Sequence, residues 1–169
     1  MRGARWLSLI LTVALAGCAG YHLGPTGGAI AGEKSIRVNF FQNKTLEPRL
    51  SDAVAAALRK TLQQDGTYRL STRGEADIIV TGTITRYDRV GLSYQPQDVL
   101  TVRDYTIQLF VKITALEKST GKVLLDREVS GRTILRAGSD LPSAEREALP
   151  LMADDFAKNA TSLLTESTW

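Results

Sequence analysis

The sequence of 169 residues contains one cysteine and one histidine. Both lie near its beginning, at Cys18 and His22, so residues 23–169 carry neither a thiol nor an imidazole. Nucleophilic Ser-His and Cys-His pairs, and zinc sites built from histidine and cysteine, are therefore excluded from that part of the chain. A single cysteine also allows no disulfide within the chain. We predict from this inventory that the protein is not an enzyme and holds no metal or other cofactor.

The sequence also offers little for a membrane-spanning helix or for nucleic-acid binding. The apolar run of residues 6–15 is well short of the roughly 20 residues that a transmembrane helix needs. The formal net charge is +3, and Arg2 and Arg5 contribute to it from a segment that carries no acid. Basic and acidic side chains nearly balance in the remainder, so we expect no nucleic-acid partner.

The beginning of the sequence has the composition of an export signal. Its two arginines form a positively charged start, residues 6–15 form an apolar centre, and Ala16 and Gly17 supply the small side chains that a signal peptidase requires. We expect residues 1–17 to be removed as a signal peptide.

The residue after this site is Cys18, and Leu15-Ala16-Gly17-Cys18 resembles the lipobox of bacterial lipoproteins. The resemblance implies acylation of the Cys18 thiol and of the new amino group, with palmitate as an expected chain. Several chains on one residue would form a durable tether, because one chain holds a protein only marginally. The alternative is an ordinary signal peptide with a chance cysteine. Ala19 stands where an Asp would resemble an inner-membrane retention signal, so the outer membrane is favoured.

Residues 18–34 are predicted to be a lipidated tether, because they hold Pro25 and several glycines and lack a regular apolar period. Gly27-Gly28 has an alternative interpretation as a phosphate-binding loop. Such a loop needs a preceding strand and a following Lys-Ser/Thr pair, and neither is present, so a linker is favoured.

Residues 35–169 are predicted to form a single α+β domain. Apolar side chains recur at three- and four-residue spacing in residues 50–64 and again in residues 149–163, which indicates two helices. Period-two alternation of apolar and polar side chains indicates strands in residues 36–41, 68–70, 76–87, 101–116 and 123–135. This order predicts a two-layer sandwich, with both helices packed on one face of a mainly antiparallel sheet of about four long strands.

Two segments interrupt the regular pattern. Pro150 lies in the second helical stripe, so either the first helical turns are kinked there or the regular helix begins at Pro150. Residues 90–99 show little periodicity and predict a loop of about ten residues. The strand predicted over residues 101–116 is also far longer than a helix of residues 50–64 can cover, at about 3.3 Å and 1.5 Å per residue respectively. The strand ends are therefore expected to project, unless a partner, a ligand or a bulge covers their apolar residues.

Charged side chains supply the candidates for binding. Two acidic clusters, Glu145 with Glu147 and Asp154 with Asp155, are interpreted as solvated helix faces rather than as an acid–base site. Arginines near strand ends can donate two hydrogen bonds to one phosphate group. The alternative for each arginine is that its charge keeps an exposed sheet from pairing with another chain. The arginines in question are Arg86, Arg89, Arg103, Arg132 and Arg136.

Several stretches, taken in their order, resemble the LptE family of lipopolysaccharide-assembly lipoproteins. None of them is specific alone, but together they cover most of residues 18–169. They are Gly20-Tyr21-His22-Leu23 after the cysteine, residues 36–41 with Asn43-Lys44-Thr45, the helix with Leu50 and residues 53–58, Ala76-Asp77 before a strand with Gly82, Asp104-Tyr105-Thr106-Ile107, Thr120-Gly121-Lys122-Val123-Leu124, and Glu145-Arg146-Glu147 before the final helix.

The resemblance implies a two-helix sandwich that sits inside the lumen of the outer-membrane barrel LptD and assists its assembly. It also implies contact with lipopolysaccharide (LPS) during delivery to the outer leaflet. The location implied is the outer membrane, with the lipid-anchored domain on the periplasmic side or in the barrel lumen. Arg103 and Arg136 lie in the regions where that family has its proposed LPS-contacting basic residues. The candidates for contact with the partner are Leu92, Tyr94, Gln95 and Pro96.

A second resemblance leaves an alternative open. A strand with Asn-Lys-Thr, an amphipathic helix and Ala-Asp-Ile-Ile-Val-Thr-Gly are also similar to LpoB-type lipoproteins, which activate penicillin-binding proteins, and to the periplasmic part of CsgG-type secretion pores. These families imply regulation of an enzyme or an oligomeric secretion complex. The tether of residues 18–34 is short compared with the long Pro-rich arm of the LpoB type, and the chain leaves little room for the membrane hairpins of the CsgG type.

Overall fold

The computed structural model describes residues 32–137 and 140–166, apart from the side chain of Val99. The predicted signal peptide, the lipidation site Cys18 and most of the predicted tether lie outside the described residues. No helix within the described ranges is both long and apolar enough to cross a membrane.

Within these ranges the chain forms six strands and two helices. The three long strands β4, β5 and β6 form an antiparallel meander, whereas the short strands β1, β2 and β3 join the sheet by parallel pairing. The order across the sheet is β3-β1-β4-β5-β6, and β2 also pairs with β4. The elements are β1 (Ser35–Val38), β2 (Gln42–Asn43), α1 (Leu50–Asp65), β3 (Arg69–Leu70), β4 (Ile78–Gln95), β5 (Asp98–Glu117), β6 (Val123–Arg136) and α2 (Leu141–Glu166).

The α+β prediction is confirmed, although the sheet is mixed and has more strands than expected. Three strands are long instead of about four, and the first predicted strand is the four-residue β1. The pairing of β1 between β3 and β4 is parallel, because α1 lies in the connection between β1 and β3 and returns the chain to the same end of the sheet.

One hydrophobic core lies between the sheet and both helices. Alternate side chains of β5 point into it and are fully buried, and the apolar stripes of α1 and α2 belong to the same cluster. Both helices therefore cover the same face of the sheet, as predicted. Burying a large aliphatic or aromatic side chain contributes about 1.5–3 kcal/mol. The main contributors are Ile107, Leu109, Val111 and Ile113 of β5, Val54, Leu58 and Leu62 of α1, and Met152, Phe156 and Ala160 of α2.

The helix boundaries follow from local backbone chemistry. Helix α1 ends at Gly66, whose φ of 75° is the left-handed conformation that glycine adopts without strain, and the Gly66 N–H donates to the Leu62 carbonyl at 3.2 Å. Helix α2 begins at Leu141 and contains Pro150 in its interior. Of the two alternatives for Pro150, a regular helix that begins at the proline is therefore wrong.

The long hairpin of β4 and β5 replaces the predicted loop of residues 90–99. Strand β4 continues to Gln95, which pairs with Asp98, and only Pro96 and Gln97 form the turn. Three register shifts occur between Gly91 and Gln95: the first places an extra residue in β4, and the other two place extra residues in β5. A bulge adds an unpaired residue and breaks the period-two pattern. The prediction of a loop was wrong for this reason.

The far part of this hairpin projects beyond the core. None of residues 90–102 whose burial is described is buried. Four apolar side chains there are more than half exposed, namely Val90, Leu92, Tyr94 and Leu100. We call residues 90–102 the hairpin tip. The expectation that the strand ends project is confirmed.

The outer edge of the sheet at β6 is covered by polar side chains of α2. The backbone N–H of Arg132 donates to the Asp155 carboxylate at 2.9 Å, and the Asn159 amide donates to the Ser130 carbonyl at 3.0 Å. These backbone groups would otherwise be open to another strand. Helix α2 thus closes the middle of β6 to strand addition.

Candidate anion-binding site at the base of the hairpin

Three strands meet at the base of the hairpin tip around Asp104. The pairing of β4 with β5 sets Ser93 opposite Asp104, and the pairing of β5 with β6 sets Arg136 opposite Asp104. The Asp104 residue is 8% exposed. Its Oδ2 accepts hydrogen bonds from Ser93 Oγ at 2.5 Å and from Arg103 Nε at 2.9 Å, and its Oδ1 accepts one from Arg136 Nε at 3.1 Å.

These hydrogen bonds determine the charge of the group formed by Ser93, Arg103, Asp104 and Arg136. The Ser93 hydroxyl, followed by the guanidinium groups of Arg103 and Arg136, lowers the pKa of Asp104 to about 2. The carboxylate is therefore ionised at neutral pH. One negative and two positive side chains leave the group with a net positive charge, which an anion from outside can balance.

The two arginines keep most of their donors for a ligand. Each arginine reaches Asp104 through Nε, and within the described part of the chain no hydrogen bond engages an Nη atom of Arg103 or Arg136. Their side chains are 45% and 76% exposed. Paired Nη groups on a planar guanidinium match the oxygens of a phosphate group. This arrangement can bind an anion.

The structure brings together two of the five arginines near strand ends, and it separates the others. Arg89 Nη1 donates to Glu145 at 2.7 Å. Arg86 Nε lies 3.0 Å from Asp88, and the Arg86 Cζ lies 3.9 Å from the centre of the Phe110 ring. The backbone of Arg132 serves the contact with α2 described above. Only Arg103 and Arg136 share a carboxylate.

Sequence reasoning missed Ser93 and Asp104 as members of the site. Asp104 has one local signal, since it is an acid that directly follows Arg103 within β5. Its pairing with Arg136 depends on the register between β5 and β6, which the sequence pattern does not specify to the residue.

The predicted partner-contact residues lie at the hairpin tip. Leu92, Tyr94 and Gln95 are exposed in β4, and Pro96 is exposed in the turn. Ser93, which bonds to Asp104, stands between Leu92 and Tyr94 in the chain. The exposed apolar residues Leu92 and Tyr94 are thus the chain neighbours of a residue that belongs to the positively charged group.

A second concave region lies between the turn after β2, the middle of β4 and the start of α2. This cleft of about 590 Å³ is lined by Lys44, Thr45, Leu46, Glu47, Thr85, Arg86, Tyr87, Arg89 and Glu145. The Tyr87 hydroxyl donates to Glu145 Oε1 at 3.2 Å, and the same oxygen accepts from Arg89. Burial raises the pKa values of Tyr87 and Glu47. Tyr87, Arg89 and Glu145 thus form hydrogen bonds with one another, which is typical of a structural network.

The Asn-Lys-Thr segment beside this cleft has a structural explanation. Asn43 Oδ1 accepts hydrogen bonds from the backbone N–H and the hydroxyl of Thr45 at 2.9 and 2.8 Å, and the Asn43 amide donates to the Glu47 carbonyl at 2.7 Å. Such side-chain bonds to nearby backbone form an Asx-type turn. The segment therefore shapes the connection from β2 to α1.

Comparison of the sequence with models of known protein families shows which family the chain belongs to. The model of the LptE lipopolysaccharide-assembly family matches residues 33–162, which is most of the chain. The chain belongs to the LptE family. The match confirms the resemblance found in the sequence and assigns the protein to LPS assembly. It spans α1, most of α2, the hairpin tip and the group around Asp104.

Solved structures with the same fold support this assignment of architecture. A protein from Xanthomonas campestris is similar with a TM-score of 0.61 at 9% identity, over 86% of this chain and 91% of that one. A protein from Chlamydia trachomatis has a TM-score of 0.57 at 9% identity, covering 82% and 98%. A minor lipoprotein from Acinetobacter baumannii has a TM-score of 0.53 at 14% identity, covering 79% and 93%. At these identities the likeness shows the fold alone. No curated protein sequence matches the chain.

Proposed function

We propose that this LptE-family protein is an outer-membrane lipoprotein that occupies the lumen of an LptD barrel. In this role it assists assembly of the barrel and contacts LPS through Arg103 and Arg136. It acts by binding and carries out no catalysis. The observation that carries the proposal is the pair of arginines held on one buried carboxylate beside an exposed apolar hairpin tip.

The chain organisation supports attachment to the membrane. In the proposal, residues 1–17 are the signal peptide, Cys18 carries the acyl chains, residues 18–34 are the tether and residues 35–169 are the domain. The lipobox-like sequence before Cys18 supports acylation, and Ala19 supports sorting to the outer membrane. The domain then lies on the periplasmic side of the outer membrane or within the barrel lumen.

The hairpin tip supports contact with a protein partner. Contiguous exposed apolar side chains on a folded domain commonly mark a binding surface. The tip projects from the core and offers Leu92 and Tyr94 on β4 with Pro96 in the turn. We propose that Leu92, Tyr94, Gln95 and Pro96 contact the inner wall of the barrel.

The arginine pair supports contact with LPS. LPS is a phosphorylated amphiphile, and guanidinium groups recognise phosphate through paired, charge-assisted hydrogen bonds. The apolar tip next to Arg103 and Arg136 offers a surface for the apolar part of the same molecule. Both chemical halves of the ligand thus have a counterpart within one region of the protein.

A pull-down tests the partner. The full-length lipidated protein is purified in mild detergent from its own outer membrane, and bound proteins are identified by mass spectrometry. We expect a stoichiometric large β-barrel that remains bound in high salt. Recovery of a penicillin-binding protein, of a ring of the protein itself or of no partner contradicts the proposal, and the first two outcomes favour the LpoB- or CsgG-like alternative.

Charge reversal tests the contact with LPS. Arg103→Glu and Arg136→Glu are expected to weaken binding of purified LPS in detergent while circular dichroism shows that the fold is kept. Some loss of thermal stability is expected as well, because each substitution removes a donor to the Asp104 carboxylate. Arg127→Glu is the matched control, because Arg127 is an exposed arginine of β6, the strand that also holds Arg136. Equal loss of binding in all three variants would indicate nonspecific attraction by net charge.

A further inference from the structure

We propose that Asp104 is a positioning residue that holds Arg103 and Arg136 together as one site for a phosphate group. The carboxylate occupies the Nε atoms of both arginines and leaves their Nη atoms for the ligand. This inference rests on the LPS contact proposed above. It specifies that the Nη atoms of Arg103 and Arg136 bind a phosphate group of the LPS molecule.

The carboxylate links two arginines that the chain keeps far apart. Arg103 precedes Asp104 in β5, whereas Arg136 ends β6. Oδ2 accepts from Arg103 and Oδ1 accepts from Arg136, each at about 3 Å. Two guanidinium groups repel each other, and a shared carboxylate offsets that repulsion. Asp104 thus joins the two arginines into one group.

Asp104 itself is held firmly. It is nearly buried, its backbone lies within β5 between β4 and β6, and Ser93 of β4 donates to its Oδ2. The Ala137 N–H donates to the Arg103 carbonyl at 2.8 Å, which fastens the end of β6 beside the site. A rigid acceptor restricts the long arginine side chains before a ligand arrives, so less conformational entropy is lost on binding.

The direction in which Asp104→Asn changes the affinity for an anion distinguishes a positioning role from simple charge attraction. Asp104→Asn removes a negative charge, so attraction by net charge alone predicts tighter binding of an anion. Positioning predicts the opposite, because an amide replaces one acceptor oxygen by a donor that cannot accept from an arginine Nε. Asp126→Asn is the matched control, since the Asp126 carboxylate is exposed in β6 and pairs with Lys112 at 3.4 Å.

The ligand class is a phosphate ester on an amphiphile, since the apolar hairpin tip adjoins the arginines. A phosphate group also occurs as free inorganic phosphate. Purified LPS and the same LPS treated with a phosphatase distinguish the role of the phosphate. Competition by inorganic phosphate distinguishes a lipid site from a site for the free ion.

The test measures LPS binding by the full-length lipidated protein in detergent. We expect Asp104→Asn to raise the dissociation constant about tenfold, and Ser93→Ala to raise it about threefold because one of three donors to Asp104 is lost. Asp126→Asn is expected to bind as the unmodified protein or slightly more tightly. Phosphatase treatment of the LPS is expected to remove the difference between the unmodified protein and Asp104→Asn.

Each outcome decides a separate point. If Arg103→Ala and Arg136→Ala lose binding while Asp104→Asn binds equally or more tightly, the positioning role is wrong and the LPS contact stands. If both arginine variants bind normally, the LPS contact itself is wrong. If Asp104→Asn does not fold, Ser93→Ala decides, because it leaves all charges in place, and unchanged affinity overturns the positioning role. Displacement of LPS by an equal concentration of inorganic phosphate overturns the lipid source.

Discussion

The backbone of Gly131 in β6 lies directly against Phe156 of α2. A Cβ at residue 131 would come 2.4 Å from the Phe156 Cβ, 2.5 Å from the Phe156 nitrogen and 2.5 Å from the Met152 carbonyl oxygen. Such distances are far below van der Waals contact, and two of the three atoms belong to the backbone of a helix. The position of α2 over the sheet thus depends on the absence of a side chain at residue 131.

Gly131→Ala is therefore expected to destabilise the domain by about 2–3 kcal/mol, since the helix must move to admit the methyl group. Urea unfolding monitored by circular dichroism measures the change. Gly82→Ala is the matched comparison, because its Cβ would lie 2.8 Å from the Phe41 ring and its three nearest atoms all belong to that side chain, none to backbone. A smaller loss of about 1 kcal/mol is expected there. Equal values for the two variants would contradict the explanation.

The polar cover of β6 leads to a second prediction. The double variant Asp155→Ala with Asn159→Ala leaves the Arg132 N–H and the Ser130 carbonyl open at the sheet edge. We expect more self-association than in the unmodified protein at equal concentration, because an open edge pairs with other strands. Sedimentation velocity measures it. Asp154→Ala is the control, since Asp154 pairs with Lys60 and not with β6. Unchanged sedimentation of the double variant would argue against the protective role.

The buried carboxylate leads to a prediction of pH dependence. The pKa of Asp104 is lowered to about 2 in the folded protein from 3.8. Its contribution to stability is therefore fully present above the unfolded pKa and is lost as the pH falls through the folded pKa. The stability difference between the unmodified protein and Asp104→Asn should shrink between about pH 4 and pH 2, as measured by urea unfolding.

The comparison with Asp104→Asn is needed because other carboxylates titrate in the same direction. Hydrogen bonds from Ser35 lower the pKa of Asp77, and a hydrogen bond from Lys34 lowers the pKa of Glu117. Total stability should fall in acid for both proteins. A difference that stays constant across this range would show that Asp104 contributes nothing through its charge.

The hairpin tip leads to a prediction about the partner. Tyr94→Ser should reduce recovery of the barrel in the pull-down while changing the free energy of unfolding by no more than about 0.5 kcal/mol, because the side chain is exposed. Phe40→Ser is the control, since Phe40 is an exposed aromatic side chain outside the tip, at 70% exposure against 53% for Tyr94. Loss of the barrel in both variants would indicate a nonspecific apolar effect.

The proposed anchor leads to the last prediction. Cys18→Ala removes the thiol that the acyl chains require, so the protein should move from the membrane fraction to the soluble envelope fraction. Fractionation followed by immunoblotting measures the shift. Cys18 lies outside the proposed domain of residues 35–169. The variant should therefore show the same thermal unfolding as the unmodified protein, and this comparison is the control. Continued membrane association in high salt would exclude Cys18 as the sole attachment to the membrane.

Much of the fold was predictable because most elements follow a simple period. The alternating side chains of β5 and β6 and the apolar stripes of both helices predicted their type and approximate bounds. The far part of β4 was not predictable, because an extra residue between Gly91 and Ser93 breaks the alternation of β4, and further register shifts up to Gln95 place extra residues in β5. Strand β2 was not predictable either, since two polar residues have no period and their pairing with Thr83 and Ile84 is purely tertiary.

The candidate site was predictable only in part. Arg103 and Arg136 were found from their chemistry and their place at strand ends. Their convergence on Asp104, and the contribution of Ser93, depend on the registers of β4, β5 and β6. The extra residue in β4 between Gly91 and Ser93 sets the pairing of Ser93 with Asp104. A local pattern contains no information on such a pairing.

The placement of α2 has a consequence for the order of folding. The helix follows every strand in the chain, yet it supplies Met152 and Phe156 to the centre of the core, and its Leu164 carbonyl accepts a hydrogen bond from the Tyr68 hydroxyl at 3.0 Å, a contact across 96 residues. Contacts so distant in sequence form late and slow the folding reaction. Until α2 has been synthesised, only α1 is available to cover the inner face of the sheet. The hydrophobic core is therefore completed only after α2 has been synthesised, so the domain folds fully only once its last helix has left the ribosome.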